Sequence, residues 1–118
     1  MEQKLYNLDK LNEIAQGDEA FTQNMLATFL ESVSTDIGTV KSFRLQENWS
    51  AVAEKAHKLA SNFAYLNADT LQKQAVSIEK SVIDENNLSE IAEKTDKLCN
   101  DCDLLIEQLK QDFGFLRE

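Results

Sequence analysis

Residues 48–67 have the sequence NWSAVAEKAHKLASNFAYLN, and this stretch decides the fold. Its apolar side chains recur at alternating intervals of three and four residues, the spacing of a helix with one buried face. They are Trp49, Val52, Ala56, Leu59, Phe63 and Leu66. Asn48, just before them, is a favourable N-cap residue. The stretch therefore predicts a helix that buries one side in a larger core.

The residues before this stretch predict two helices. Asn7 and Gly17 bracket a short one, which we expect to act as a lid, with apolar residues Leu8, Leu11 and Ile14. Asp18 can cap a much longer one, whose apolar stripe is Phe21, Met25, Phe29, Val33, Ile37 and Val40. Gly38 inside it costs about 1 kcal/mol relative to alanine. We expect that glycine to mark a close crossing with another helix.

Two helices follow the quoted stretch. The first starts near Asn67 or Asp69 and has the apolar positions Ala68, Leu71, Ala75, Ile78 and Val82. A polar loop over residues 84–87 ends it. The second opens at Asn87, with Glu90 three residues later as in a capping box, and has Ile91, Thr95, Leu98, Cys102, Leu105, Leu109 and Phe113 on one face.

Helices two to five are each apolar on one side and joined by short connections. We therefore expect an all-α fold: an antiparallel, up-down four-helix bundle with a short N-terminal lid helix. The length of 118 residues suits one domain, residues 1–118. The chain has no proline and only three glycines, which disfavours folds built from many tight turns.

The charge of the chain excludes several partners. Twelve basic and twenty-one acidic residues give a formal net charge of −9, which repels nucleic acid and anionic lipid. No apolar run approaches the roughly 20 residues of a membrane span, and residues 1–4 lack the features of a signal peptide. We therefore expect a cytoplasmic protein that binds neither nucleic acid nor membrane. With an acidic surface and no coiled-coil seam, we expect a monomer.

The only histidine, His57, lies in the quoted stretch. At about 100° per residue it falls about 120° from the centre of the apolar stripe, at the solvent edge. Its neighbours along the helix are all small: Ser50, Ala53, Ala60, Ser61 and Ala64. This collar leaves the imidazole raised above a low surface, so another protein can bring its active site up to the ring.

An exposed imidazole can act as a phosphoryl acceptor. Its pKa in peptides is about 6.5, so a neutral ring nitrogen is available as a nucleophile at cytoplasmic pH. Such a carrier needs no metal or cofactor of its own if its partner supplies the acidic pocket, the Mg²⁺ and the lysine.

The sequence resembles the histidine phosphotransfer (HPt) domain family, through residues 56–68, AHKLASNFAYLNA. The order of elements is also similar, from Leu8-Asp9-Lys10-Leu11 through Gly17-Asp18-Glu19-Ala20-Phe21 to Asn48-Trp49. The resemblance implies a phosphocarrier rather than an enzyme. It implies that His57 accepts a phosphoryl group from, and donates it to, the aspartates of receiver domains in response regulators or hybrid histidine kinases.

The chain departs from the family at two positions after the histidine. The family commonly has Lys and Gly three and four residues on, and this chain has Ala60 and Ser61. We expect Lys58, with Lys55 as an alternative, to replace that lysine, and Ser61 and Asn62 to hydrogen-bond a phosphoryl oxygen. The surface that docks the partner is predicted to comprise Ala53, Glu54, Ala60, Ser61 and Ala64.

Three other functions each match one feature of the sequence. A binding-only adaptor of the same fold would sequester a receiver or kinase without passing phosphate, and the missing lysine at position 60 favours it. Glu54 and His57 have the spacing of di-iron carboxylate bundles, but the other ligands of such a site are missing. Cys99 and Cys102 form one CxxC pair, which alone completes no zinc site and lacks a thioredoxin-like context.

Overall fold

The structure, a computed structural model, describes residues 4–85 and 87–117, with the backbone alone at position 117. Residues 1–3, on which the signal-peptide argument rests, and Asn86 of the predicted polar loop lie outside the described residues.

Five α-helices follow one another along the chain, and the described residues contain no strand. They are α1 (Asp9–Ala15), α2 (Glu19–Leu45), α3 (Trp49–Tyr65), α4 (Asp69–Ile83) and α5 (Leu88–Asp112). A short 3-10 helix, Gly114–Arg117, ends the described chain. None of the described helices is long and apolar enough to cross a membrane. The predicted all-α fold class is thus confirmed.

The four long helices pack in a ring around one core. Each of α2, α3, α4 and α5 contacts the next in sequence, and α5 also contacts α2, while α1 packs on α2. Most of the core comes from the predicted stripes of the last three helices, with Phe63, Leu71, Ile78, Leu98 and Leu105 fully buried. Val82 of the predicted α4 stripe is only half-buried, and so is Phe113, which lies one residue past α5. Within α3 only Trp49 of the predicted stripe is half-buried rather than buried.

The predicted apolar stripe of α2 is wrong in its first half. Phe21 is 41% exposed and Met25 and Phe29 are only half-buried. The buried residues are instead Leu26, Leu30, Val33, Ile37 and Val40. Positions four residues apart advance about 40° around a helix at each step, so a stripe of repeated fours winds off the core. Alternating fours and threes stay on one face.

Two smaller predictions are also corrected. Ile14 is 43% exposed. Helix α1 buries Leu11, as predicted, but Ala15 takes the place of Ile14. The reason is that repeated steps of three residues drift by about 60° in the other direction around the helix. Gly38 is exposed, and a Cβ at this position would meet nothing within 4 Å. It therefore marks no close helix crossing.

Three helix starts follow the predicted caps, whereas α1 and α4 begin after Leu8 and Ala68, whose side chains make no capping hydrogen bond. The side chain of Asp18 accepts a hydrogen bond from the backbone of Phe21, and that of Asn48 accepts one from the backbone of Ala51. Asn87 caps α5 through the backbone of Ser89. These bonds satisfy backbone donors that a helix N-terminus leaves without intrahelical acceptors.

Each connection between helices contains a residue in the left-handed region. Gln16, Glu47, Asn67 and Glu85 have φ between 50° and 56°. Asn67 also accepts a hydrogen bond from the backbone of Lys10, at 3.1 Å, and so ties α1 to the turn between α3 and α4. Helix α1 is thereby fixed at the end of α3.

We predict that Phe63→Ala lowers the free energy of unfolding by about 3–5 kcal/mol, because Phe63 is fully buried and the change leaves a cavity. Leu45→Ala is the matched control: Leu45 is 83% exposed, so its replacement changes the free energy by less than about 0.5 kcal/mol. Urea unfolding followed by circular dichroism measures both. Similar values for the two variants would contradict the packing described here.

Candidate functional site

His57 lies in the middle of α3 on the side opposite the core. Its side chain is 74% exposed, whereas Ala56 and Leu59 on the same turn are fully buried. The predicted position of the histidine at the solvent edge is therefore confirmed. Its exposure follows directly from the burial of the other side of the helix.

One nitrogen of the imidazole is held by the neighbouring helix. His57 Nδ1 lies 2.9 Å from Oε2 of Glu79 on α4, and the Glu79 side chain is 29% exposed. An ionised carboxylate only accepts hydrogen bonds, so Nδ1–H donates. In the neutral ring the lone pair then lies on Nε2, the nitrogen not engaged by Glu79.

A groove lies beside His57 between α3 and α4, and we call it the α3–α4 groove. Its volume is about 560 Å³. It is lined by Ser50, Ala53, Glu54, His57, Glu79, Val82 and Ile83. The histidine thus forms part of the wall of an open, partly apolar depression rather than standing on a flat surface.

The predicted collar of small residues is only partly exposed. Ser50 and Ser61 are exposed and Ala64 is half-buried. Ala53 and Ala60 are buried, at 9% and 8% exposure, and Ala60 belongs to the hydrophobic core. Ala53 reaches the surface as part of the α3–α4 groove. Ala60 therefore offers a partner little area.

Lys58 and Lys55 both face α2 rather than α4. Lys58 Nζ lies 3.1 Å from Oδ2 of Asp36, and Lys55 Nζ lies 3.6 Å from Oδ1 of the same residue. The Asp36 side chain is only 3% exposed, and a buried carboxylate without a cation is costly. The lysines that were predicted to replace the family's lysine thus already neutralise a buried acid.

Asn62 is also engaged by α2. Its Nδ2 donates a hydrogen bond of 3.1 Å to Oγ of Ser32. The neighbouring Ser61, one of the predicted phosphoryl partners, is exposed. Because Ser61 follows His57 by four residues, the two lie next to each other on the surface of α3.

Glu79 and Asp36 are the site residues that the sequence argument missed. Both lie on helices other than α3. Glu79 is 22 residues along the chain from its partner His57, and Asp36 is 22 residues from its partner Lys58. Both had a signal in the sequence, because each acid lies at the edge of an apolar stripe: Asp36 is three residues after Val33, and Glu79 is four residues after Ala75. An acid at such a position requires a partner, but the spacing does not say which residue that partner is.

The CxxC pair lies in the core. Burial raises the pKa of the Cys99 thiol to about 11 and that of the Cys102 thiol to about 12. Both groups therefore stay protonated at neutral pH, and the thiolate is the reactive form in redox chemistry. These values count against the redox alternative. Within residues 4–85 and 87–117, no three His, Cys, Asp or Glu side chains form a group that could hold a metal ion.

We predict that Glu79→Ala moves the neutral imidazole of His57 away from the Nδ1–H tautomer, because the acceptor that favours it is removed. Glu31→Ala is the control, since Glu31 is an exposed glutamate of α2 that lies along a different groove. Imidazole ¹H–¹⁵N correlation spectra near pH 8, above the ordinary pKa of about 6.5, report the tautomer. An unchanged tautomer in Glu79→Ala would show that the contact does not orient the ring.

Comparison with known proteins places these features in a family. A family model for the Hpt domain matches residues 24–112, which include His57, Glu79, Asp36 and both lysines. No curated protein and no solved structure matches the chain. The family model covers most of the chain, and Hpt domains are helical bundles, as found here. The chain belongs to the Hpt domain family, whose members are phosphocarriers of two-component phosphorelays rather than enzymes.

Proposed function

We propose that this protein carries a phosphoryl group on His57 between the aspartates of receiver domains. The observation that carries the proposal is the contact between His57 and Glu79. In the neutral ring this contact places the lone pair on Nε2, and the side chain is 74% exposed, so a partner's phosphoryl group can approach it. Family membership supplies the reaction class.

In the proposed reaction the Nε2 lone pair attacks the phosphorus of a receiver aspartyl phosphate. The N–P bond forms, the P–O bond to the aspartate breaks, and the carboxylate leaves with its electron pair. The imidazole gains positive charge as it forms this bond, and the Glu79 carboxylate at Nδ1–H offsets that charge. The reverse reaction with a second receiver returns His57 to its starting state. The partner supplies the Mg²⁺, the acidic pocket and the lysine, so this chain needs no cofactor of its own.

Ser61 is the best placed of the three proposed phosphoryl partners, because it is exposed next to His57. Lys58 and Asn62 reach a phosphoryl oxygen only by leaving Asp36 and Ser32. Lys58 can leave Asp36 at a lower cost than its own contact suggests, because Lys55 Nζ, 3.6 Å from Asp36 Oδ1, still offsets the charge of that buried carboxylate. We therefore propose Ser61 first and Lys58 second as phosphoryl partners.

The finer features of the fold and setting belong to the same proposal. Short connections and the closed ring of contacts from α2 to α5 support an antiparallel, up-down four-helix bundle, with α1 as a lid, formed by residues 1–118 as one domain. A net charge of −9 supports a monomer that works in the cytoplasm with receiver domains and binds neither nucleic acid nor membrane.

We predict that His57→Gln abolishes labelling by phosphorylated receiver domains while leaving the helical content unchanged, since the side chain packs little. The label on the wild type should be acid-labile and base-stable, as a phosphohistidine is. Transfer from a panel of ³²P-labelled receivers, followed by acid and base treatment, measures this. Binding of a receiver without any label on the wild type would favour the sequestering adaptor instead.

We also predict that Ser61→Trp slows transfer at least about tenfold, because an indole beside His57 prevents close approach of the receiver. Ser89→Trp is the control, since Ser89 is exposed at the start of α5. Tryptophan at Ala53 or Ala60 is a poorer test, because both alanines are buried and the larger side chain would disturb the core. Equal transfer rates for Ser61→Trp and Ser89→Trp would refute docking over this part of α3.

A further inference from the structure

The α3–α4 groove combines apolar and acidic surfaces next to His57. Ile83, at the end of α4, is 69% exposed, and Val82 beside it is half-buried. Glu54 and Glu79 lie along the same groove. Of the seven described residues that line it, two are carboxylates and none is a lysine or arginine.

A partner that transfers a phosphoryl group to His57 must cover this groove. The reacting atoms have to come within about 3–3.5 Å of each other, and His57 is itself part of the groove wall. A protein surface that close also removes Ile83 and Val82 from water, which is favourable only if apolar side chains replace the water.

The charge of the groove restricts what the partner can place there. Asp84 and Glu85 follow Ile83 directly, so carboxylates continue past the groove, and the whole chain carries a net charge of −9. The proposed reaction also requires an acidic pocket on the partner. Two acidic surfaces repel each other at close range unless basic side chains lie between them.

We propose that the receiver domain fills the α3–α4 groove with an apolar side chain against Ile83 and Val82 and sets a basic side chain against Glu54. These two contacts select the receivers with which the protein exchanges phosphate. The inference rests on the proposed function and adds to it the chemical character of the partner's surface.

Two other occupants fit the groove less well. A second copy of this chain would bring further negative charge to Glu54 and Glu79, and it would cover the histidine that must stay accessible. Nucleic acid would bring phosphates against the same carboxylates. A receiver with lysine or arginine beside its phosphorylation pocket satisfies both the apolar and the acidic parts of the groove.

The test compares transfer from two receiver domains, one with basic and one with acidic residues around the phosphorylation pocket, each phosphorylated with acetyl phosphate. The variants are Ile83→Ser and Glu54→Gln. Their controls are Leu45→Ser, at an apolar position that is 83% exposed, and Glu31→Gln, which lies along a different groove, between α2 and the C-terminal residues. Circular dichroism verifies that every variant is folded.

We expect faster transfer from the basic receiver. For Ile83→Ser we expect KM to rise about tenfold with kcat nearly unchanged, because the contact assists docking rather than chemistry. For Glu54→Gln we expect KM to rise about threefold and to depend less on NaCl concentration than in the wild type. Both controls should behave as the wild type does.

The outcomes separate this inference from the proposed function. If the wild type is labelled but Ile83→Ser and Glu54→Gln behave as their controls do, the groove inference is overturned and the carrier function stands. Equal transfer from the basic and acidic receivers overturns the charge argument in the same way. Failure of every receiver to label the wild type overturns the proposed function, and the inference with it.

Discussion

Helix α3 packs its apolar side against α2 and α4, with Val52, Ala56, Leu59 and Phe63 almost entirely removed from water. A helix has one circumference, so a side that is buried this completely forces the opposite side into solvent. His57 lies on that opposite side. The exposure of His57 and the stability of the bundle are therefore two results of the same packing.

The two helices beside α3 make different kinds of contact with it. On the α4 side, Glu79 holds the imidazole and the α3–α4 groove opens next to it. On the α2 side, Asp36 and Ser32 hold Lys58 and Asn62. The proposed chemistry and docking thus lie on the α4 side, while the polar contacts towards α2 fix α3 in place. This difference between the two sides bears on why the chain has Ala60 where the family commonly has a lysine.

Ala60 is 8% exposed and part of the core, so a lysine at this position would have to extend from beneath the surface. The lysines nearest to His57 in sequence, Lys55 and Lys58, instead form ion pairs with Asp36. The Asp36 side chain is only 3% exposed, and a buried carboxylate without a cation is costly. The surroundings of His57 are consequently acidic on the α4 side, through Glu54 and Glu79. In the proposed complex, the docking receiver therefore supplies positive charge of its own.

Much of the helical structure and the exposure of His57 could be predicted from the sequence, because both depend on residues that are close together along the chain. The helix starts at Asp18, Asn48 and Asn87 follow from capping chemistry, and the exposure of His57 follows from the three-and-four spacing of α3. The same reasoning was wrong for α2, where the apolar residues from Phe21 to Phe29 follow a spacing of four that winds off the core.

The sequence by itself determined the helical class, the caps, the core face of α3 and the outward position of His57, since each depends on residues within a few turns of one another. Only the tertiary structure decided that Glu79 bonds His57, that Asp36 takes both lysines, and that Ile83 lines a groove beside the histidine. Those contacts join helices that are separated along the chain. They depend on the rotation and register of one packed helix against another, which no local spacing specifies.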